Sequence, residues 1–260
     1  MWGVGYFLLL GVITANLFSG PAVAADFRDL EASQKRWVME TPVDPSEAWL
    51  IAFGGRLYDN FAEAQGKTLP PFTHSAYPKA GKKKGPATWR CKECHGWDYN
   101  GVDGAYKKGS HFTGIKGIRA YDGGDPAKVA EILRDKTHRY SESFLSDEMV
   151  KRLALFVTKG QMKVEDFLVK GTNTVRGDLE RGKAAYQNLC AVCHDYDGRG
   201  MNFGGADNPT YVGTEAVSNP AEVFHKVRNG NAGDAMTAQM WLDAKTQADI
   251  VAYTQTLPTK

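Results

Sequence analysis

The chain has 260 residues, 42% of them hydrophobic and 24% charged. This balance is typical of a soluble globular protein and argues against a disordered or a membrane-spanning chain. The formal net charge of +2 gives no support to nucleic-acid binding, and the length allows one large domain or two small ones.

The first 24 residues have the pattern of an export signal. Residues 6–18 are largely apolar, and Ala22-Val23-Ala24 is a small-residue cleavage site. The segment before the apolar run has no Lys or Arg, so an uncleaved membrane anchor is the alternative. Polar and small residues interrupt the run, however, whereas a spanning helix needs about 20 mostly apolar residues. We expect a cleaved signal peptide at residues 1–24 and a periplasmic protein, with membrane contact only if the segment is retained.

The rest of the chain contains an internal repeat of two modules. Both run in the order Gly-x-x-x-Tyr, Cys-x-x-Cys-His, Asp/Asn-Pro-Ala-x-Val and an apolar closing helix. In the first module these elements occupy residues 54–58, 91–95, 125–129 and 145–157. In the second they occupy residues 182–186, 190–194, 219–223 and 242–257. A repeat of two predicts a tandem of domains, since a solenoid needs three or more units.

The predicted secondary structure is all-α. Apolar residues at three-to-four spacing predict a helix at the start of each module, over residues 46–65 and 176–189. Two further helices open with an N-cap residue and a first-turn proline, at Asp125-Pro126 and Asn219-Pro220. Ser146 is the predicted N-cap of the first closing helix.

These elements predict two domains and a connecting segment. The first domain covers residues 25–160, the linker residues 161–175 and the second domain residues 176–260. The modules differ because Tyr186 lies four residues before Cys190, whereas Tyr58 lies thirty-three residues before Cys91. The extra stretch, residues 62–90, is rich in Pro and Gly and is predicted to be an irregular loop, which at that length is usually functional or disordered.

The four cysteines all belong to Cys-x-x-Cys-His motifs. Cysteines at i and i+3 of one helical turn share a face, and the histidine follows at i+4. This geometry lets two thiols bond a haem edge while the imidazole reaches the iron, and the pattern is the haem-attachment signature. The motifs are Cys91, Cys94 and His95 in the first module, and Cys190, Cys193 and His194 in the second. The sequence therefore predicts two covalently bound haems c.

Three other kinds of site compete for the motifs. A zinc site needs convergent ligands, which adjacent Cys and His on one short turn supply poorly. A redox dithiol explains each Cys-x-x-Cys but not the histidine that follows both. A pair of short-range disulfides explains neither histidine.

On these residues the chain resembles a tandem of class I cytochrome c domains. The resemblance covers residues 54–257, and the long insertion is its main departure. It implies small all-helical domains wrapped round haem, which supplies much of each core. It also implies that the carbonyl of Pro209 accepts the N–H of the iron-binding histidine in the second module. A simple turn proline is the alternative for Pro209.

The same resemblance guides the choice of sixth iron ligand. In the family, a loop methionine precedes the Leu that opens the last helix, and Met236 stands six residues before Leu242. Met240 is the competitor, but its nearness to the helix favours a packing role. The first module has His138 instead, seven residues before Leu145.

His138 is the predicted sixth ligand of the first haem. The competing residues in that module are His74, His111, Met149 and Met162. An exposed histidine is the alternative interpretation for the first two. The third lies in the closing helix, where methionine usually fills core, and the fourth comes too late in the chain.

The ligand asymmetry predicts a direction of electron flow. Methionine ligation raises the haem potential relative to bis-histidine ligation, so electrons should pass from the first haem to the second. We expect an electron carrier, or the cytochrome subunit of a dehydrogenase or reductase, rather than an enzyme. A dihaem peroxidase is the alternative, although no other motif of that family is present. A thiosulfate dehydrogenase with His/Cys ligation needs a spare cysteine, which the chain lacks.

Basic residues crowd the first motif. They are Lys79, Lys82, Lys83, Lys84, Arg90 and Lys92. A solvated loop is the ordinary interpretation, but beside a haem edge such a cluster could steer an acidic redox partner. Trp89, Trp97 and Tyr99 flank the same motif and are expected to pack against the haem.

Overall fold

The computed structural model describes residues 40–260. The predicted signal peptide, residues 1–24, lies outside the described residues. Between residues 40 and 260 the regular structure is helical, and β pairing is limited to three isolated bridges, which confirms the all-α prediction for this part of the chain. No helix found there has the length and apolar character needed to cross a membrane.

Nine α-helices make up the described part of the chain. In the first module they are α1 (Glu47–Asn60), α2 (Cys91–His95), α3 (Pro126–Arg134) and α4 (Asp147–Leu155), the last of which continues as a π-helical turn over Phe156–Gly160. In the second module they are α5 (Leu179–Leu189), α6 (Ala191–His194), α7 (Val212–Ser218), α8 (Pro220–Asn229) and α9 (Ala244–Thr254). Single 3-10 turns occur at Glu63–Gln65, Gly85–Trp89, Ala105–Lys107, Arg119–Tyr121 and Val164–Phe167.

Two of the three predicted caps, Asp125 and Ser146, are confirmed, and Ser46 is a further cap. Ser46 accepts a hydrogen bond from the backbone N–H of Trp49, and Asp125 and Ser146 cap α3 and α4 in the same way. Such caps satisfy N–H groups that have no partner inside the helix. Asn219 occupies the N-cap position of α8, but its side-chain amide donates to Glu222 instead.

The same helix pair forms the frame of each module. α1 packs against α4 in the first module, and α5 packs against α9 in the second. A glycine lies at each crossing: a Cβ on Gly54 would stand 2.1 Å from the carbonyl oxygen of Arg152, and one on Gly182 would stand 2.0 Å from that of Asp249. The conserved order of the sequence repeat therefore corresponds to the same local packing in both modules.

The two modules share their cores. α1 also packs against α8, and Ala232 of the second module joins the core cluster around α1 and α4. Trp97 of the first module lies in a second cluster with Phe224 and Val251.

The segment at residues 161–175, predicted as a linker, packs against this second cluster. Its Met162 and Val164 are buried there, and Leu168 pairs with Val175 in an antiparallel bridge. The inserted stretch, residues 62–90, has only two 3-10 turns, so its predicted irregular structure is confirmed.

Candidate haem sites

The first motif opens onto a cavity of about 400 Å³. Cys91, Cys94 and His95 line one side of it, and His138 lines another. Apolar side chains supply much of the remaining wall, among them Ile118, Val129, Ile132, Leu133, Leu153 and Val157. The predicted residues of the first site are thus brought together around one largely apolar space.

His95 and His138 stand at the separation that a shared metal ion requires. Their ring centroids are 6.3 Å apart and their planes differ by 24°. Imidazole nitrogens bind transition metals at about 2 Å, so two rings on opposite sides of one ion have centroids about 6 Å apart. The donor set therefore fits an iron bound by two histidines.

Hydrogen bonds on the far side of each ring leave the inner nitrogen free. His95 Nδ1 donates to the carbonyl of Lys116 at 2.8 Å, and His138 Nδ1 donates to Asp135 Oδ1 at 3.3 Å. Within residues 40–260, neither Nε2 atom has a hydrogen-bond partner. Metal-binding histidines characteristically donate their other N–H in this way. Burial lowers the pKa of His95 to about 4, which keeps the ring neutral and able to bind a metal.

The competing ligand candidates are placed otherwise. His74 lines the cavity, but Nδ1 accepts from the backbone N–H of Ala76 and Nε2 bonds the carbonyl of His138. His111 lies outside the cavity lining and pairs with Glu93 at 3.0 Å. The two methionines, Met149 and Met162, pack against the first and second core clusters respectively.

The cysteines fit thioether formation better than zinc or disulfide chemistry. Burial raises the pKa of Cys91 and of Cys94 to about 12, so both free thiols are protonated at neutral pH. All four cysteines are free. In the described part of the chain, no group of three or more His, Cys, Asp or Glu side chains could hold a metal ion.

The second motif lies in a more open setting. Cys190 packs against Tyr186, Ala191 and Leu257, whereas Cys193 is exposed. Large apolar side chains on α6 and in the loop after it are unusually exposed: Val192 (84%), Tyr196 (69%), Phe203 (52%) and Met201 (45%). An exposed apolar surface of this size on one short stretch of the chain is suited to binding a flat apolar group that would cover it.

The hydrogen bond expected from His194 to Pro209 is not formed. His194 Nδ1 is buried, and within residues 40–260 it has no hydrogen-bond partner. Residues 199–208, in the loop before Pro209, are all exposed, and Phe203 of this loop stands edge-on to the His194 ring with centroids 6.1 Å apart. In the first module the corresponding acceptor is Lys116, which sequence reasoning missed because no proline marks it.

The loop that carries Met236 is tied to the first module. Arg56 of α1 donates to the carbonyl of Met236 at 2.7 Å and to that of Asn229 at 2.8 Å. Met240 packs against the first core cluster, in keeping with its expected packing role. These contacts fix the backbone of the loop, and ligation by the sulfur of Met236 stays a prediction.

The basic cluster is smaller than the sequence indicates. Arg90 pairs with Asp59, and Lys92 pairs with Glu93, so neither cation is free to face a partner. The lysines on the inserted stretch point outward, with Lys79, Lys82 and Lys84 exposed and Lys83 half-buried. Trp89, Trp97 and Tyr99 do not line the cavity; they pack in the core and between the modules.

A buried histidine between the modules was missed by sequence reasoning. His225 is 1% exposed; its Nε2 donates to the carbonyl of Gly55 at 2.9 Å, and its Nδ1 accepts from the Tyr99 hydroxyl at 2.8 Å. Burial lowers its pKa to about 4, so the ring is neutral. Beside it, Asp59 forms ion pairs with both Arg90 and Lys226. No motif in the sequence marks this network.

Comparison with known protein families bears on the second module. Residues 177–253 match the family described as "Cytochrome C oxidase, cbb3-type, subunit III". No solved structure gives a significant match to the chain. The matched region contains the second Cys-x-x-Cys-His motif and the α5–α9 helix pair. Residues 177–253 therefore resemble a c-type cytochrome domain, a kind of domain that binds haem c covalently and transfers electrons.

Proposed function

We propose that the chain is an exported dihaem c-type cytochrome, built as two tandem cytochrome c-like domains, that moves single electrons between redox partners. The observation that carries this proposal is the position of His95 and His138, whose ring centroids are 6.3 Å apart across a cavity that Cys91 and Cys94 also line. A family match supports the second domain alone. The case for a haem in the first therefore rests on its own residues.

Haem c supplies a one-electron iron couple. In the first domain, Cys91 and Cys94 would hold the porphyrin through thioether bonds, and His95 and His138 would bind the iron. In the second, Cys190, Cys193 and His194 would do the same, with Met236 as the sixth ligand. Lys116 and Asp135 would orient the two histidines of the first domain through the hydrogen bonds already described.

Two protein ligands on each iron favour a carrier over an enzyme. Peroxide and oxygen chemistry needs an open coordination position, and His138 occupies the side of the cavity facing His95. Fold alone does not assign a function, so the argument rests on this pair. A dihaem peroxidase is the outcome that an open iron would favour.

The ligands also suggest an order of transfer. Methionine ligation raises the potential above that of a bis-histidine iron. Electrons would therefore enter at the first domain and leave from the second. Exposed Lys79, Lys82 and Lys84 lie on the inserted stretch, whose Thr88 and Arg90 line the cavity, and they suit an acidic donor. A periplasmic location agrees with the predicted export signal, and a role as a dehydrogenase or reductase subunit is part of the same proposal.

The deciding experiment is a haem count joined to spectroscopy of the purified protein. We expect two haems that survive acid–acetone extraction, both irons low-spin, and a near-infrared methionine band from one alone. Carbon monoxide should bind the reduced protein slowly. A single haem would contradict the dihaem proposal, and rapid binding of carbon monoxide or peroxide would favour the peroxidase.

A further inference from the structure

The inserted stretch of the first module carries a histidine that the proposed function does not use. His74 is 7% exposed and lines the cavity. Its ring packs edge-on against Trp89 with centroids 4.4 Å apart, and its backbone N–H donates to Thr88 Oγ1 at 2.9 Å. The ring is therefore fixed from several sides.

Two hydrogen bonds determine which nitrogen of the His74 ring carries the proton. The backbone N–H of Ala76 can only donate, so His74 Nδ1 accepts from it at 3.1 Å and carries no proton. The proton is then on Nε2, which donates to the carbonyl of His138 at 2.8 Å.

The turn that receives this bond is short and strained. Asp135 Oδ1 accepts the backbone N–H groups of Thr137 and His138, both at 2.8 Å. Arg139 has a φ of +54°, a conformation that costs free energy for any residue other than glycine. Such a turn needs ties from outside to keep one geometry.

The outside ties come from the inserted stretch. Besides the bond from His74, the Tyr140 hydroxyl donates to the carbonyl of Trp89 at 2.7 Å. The second module has no inserted stretch, since Tyr186 lies four residues before Cys190. Its Met236 loop is held by Arg56 of α1 instead.

We propose that His74 is a positioning residue that holds the His138 turn against the cavity, and that the inserted stretch serves this purpose. The proposal rests on the ligation of the first haem by His95 and His138. With the bond from His74 in place, the imidazole of His138 stays at its distance from His95. Without it, the strained turn can move outward, and an external ligand can reach the iron.

The test is the rate at which the reduced holoprotein binds carbon monoxide. His74→Phe keeps an aromatic ring against Trp89 but removes the donor, so binding should become at least about tenfold faster. His74→Gln keeps an N–H donor and should stay within about twofold of the wild type. His111→Gln, a histidine outside the cavity, is the control and should change nothing.

Hydrogen exchange of residues 135–140 supplies a second readout. It should become faster in His74→Phe and remain at the wild-type rate in His74→Gln. If His74→Phe does not fold, Thr88→Val replaces it, because it removes the hydroxyl that anchors the His74 backbone; it should speed carbon monoxide binding about threefold. Wild-type rates in the folded variants would overturn the proposal.

His138→Ala separates this proposal from the ligation on which it rests. A high-spin first haem in that variant, together with unchanged rates in the His74 variants, would overturn the positioning role alone. A first haem that stays low-spin in His138→Ala would overturn the ligation and the positioning role together.

Discussion

The hydroxyl of Tyr58 donates a hydrogen bond of 2.6 Å to the carbonyl of Gly96, the residue that follows His95. In the second module the hydroxyl of Tyr186 donates to the carbonyl of Asp195, which follows His194, at 3.1 Å. Each bond ties the opening helix of a module to its Cys-x-x-Cys-His turn. Each tyrosine lies four residues after the glycine at its helix crossing, Gly54 or Gly182. The Gly-x-x-x-Tyr repeat therefore connects the helix crossing to the Cys-x-x-Cys-His turn.

Replacement of the crossing glycine should destabilise the second module. In Gly182→Ala the new Cβ would meet the carbonyl oxygen of Asp249 at 2.0 Å, so α5 and α9 must move apart. Overpacking of this kind costs about 1–3 kcal/mol. We expect a lower midpoint of thermal unfolding. Gly205→Ala is the control, because nothing lies within 4 Å of its added Cβ; equal midpoints for the two variants would contradict the prediction.

The two methionines of the second module should behave differently. Met236→Ala should abolish the near-infrared methionine-to-iron band and lower the potential of one haem, because a weaker or absent sixth ligand no longer favours the reduced iron. Met240→Ala should retain the band, since that side chain packs against the first core cluster. Magnetic circular dichroism of the oxidised protein is the measurement. Loss of the band in Met240→Ala alone would reverse the assignment.

Asp59 should make the interface between the modules sensitive to acid. Burial raises the pKa of this carboxyl, but Lys226 and Arg90 outweigh that effect and lower it to about 2 from 3.8. Because the pKa of Asp59 is lower in the folded state than in the unfolded state, its ionised carboxylate stabilises the folded state at any pH above the unfolded-state pKa. That stabilisation, about 2 kcal/mol by linkage, is lost as the pH falls from about 4 to about 2.

Asp59→Asn tests this contribution. At neutral pH the variant should be less stable by about 3–5 kcal/mol, because two half-buried cations lose the buried carboxylate with which they pair. The difference from the wild type should shrink as the pH falls from about 4 to about 2, as followed by urea unfolding. Asp207→Asn, at an exposed position, is the control. A difference that stays constant with pH would show that Asp59 is not the titrating group.

The local parts of the first site could be predicted from the sequence. The Cys-x-x-Cys-His spacing predicts the helical turn. The position of His138, seven residues before Leu145, predicts it as an iron ligand, and His138 does line the cavity. The helix caps at Asp125 and Ser146 could also be predicted, because they depend on neighbouring residues alone. Each of these features depends on residues that are close to one another in the sequence.

The rest depends on contacts between distant segments. Arg90 was expected on a basic surface but pairs with Asp59, thirty-one residues earlier. His74 belongs to a stretch without hydrophobic periodicity, so nothing in the pattern relates it to His138. His225 stands 126 residues from the tyrosine that donates to it. Packing between distant segments creates these partners, within the first module for Arg90 and His74 and between the modules for His225.

The lysines of the inserted stretch should steer an acidic electron donor. Lys82 and Lys84 are exposed and Lys83 is half-buried, so their charges act mainly through solvent. Surface charges are screened beyond about 8 Å at physiological ionic strength, so reduction by an acidic donor should slow as salt is added. With all three lysines changed to Gln, the rate should fall at low salt and depend less on salt, while both haem spectra remain unchanged.

A matched variant, with Lys163, Lys170 and Lys183 changed to Gln, alters the charge equally at exposed positions outside the inserted stretch and should retain the wild-type salt dependence. Stopped-flow reduction over a series of salt concentrations is the measurement. Equal losses of salt dependence in the two triple variants would mean that net charge, rather than the inserted stretch, guides the donor.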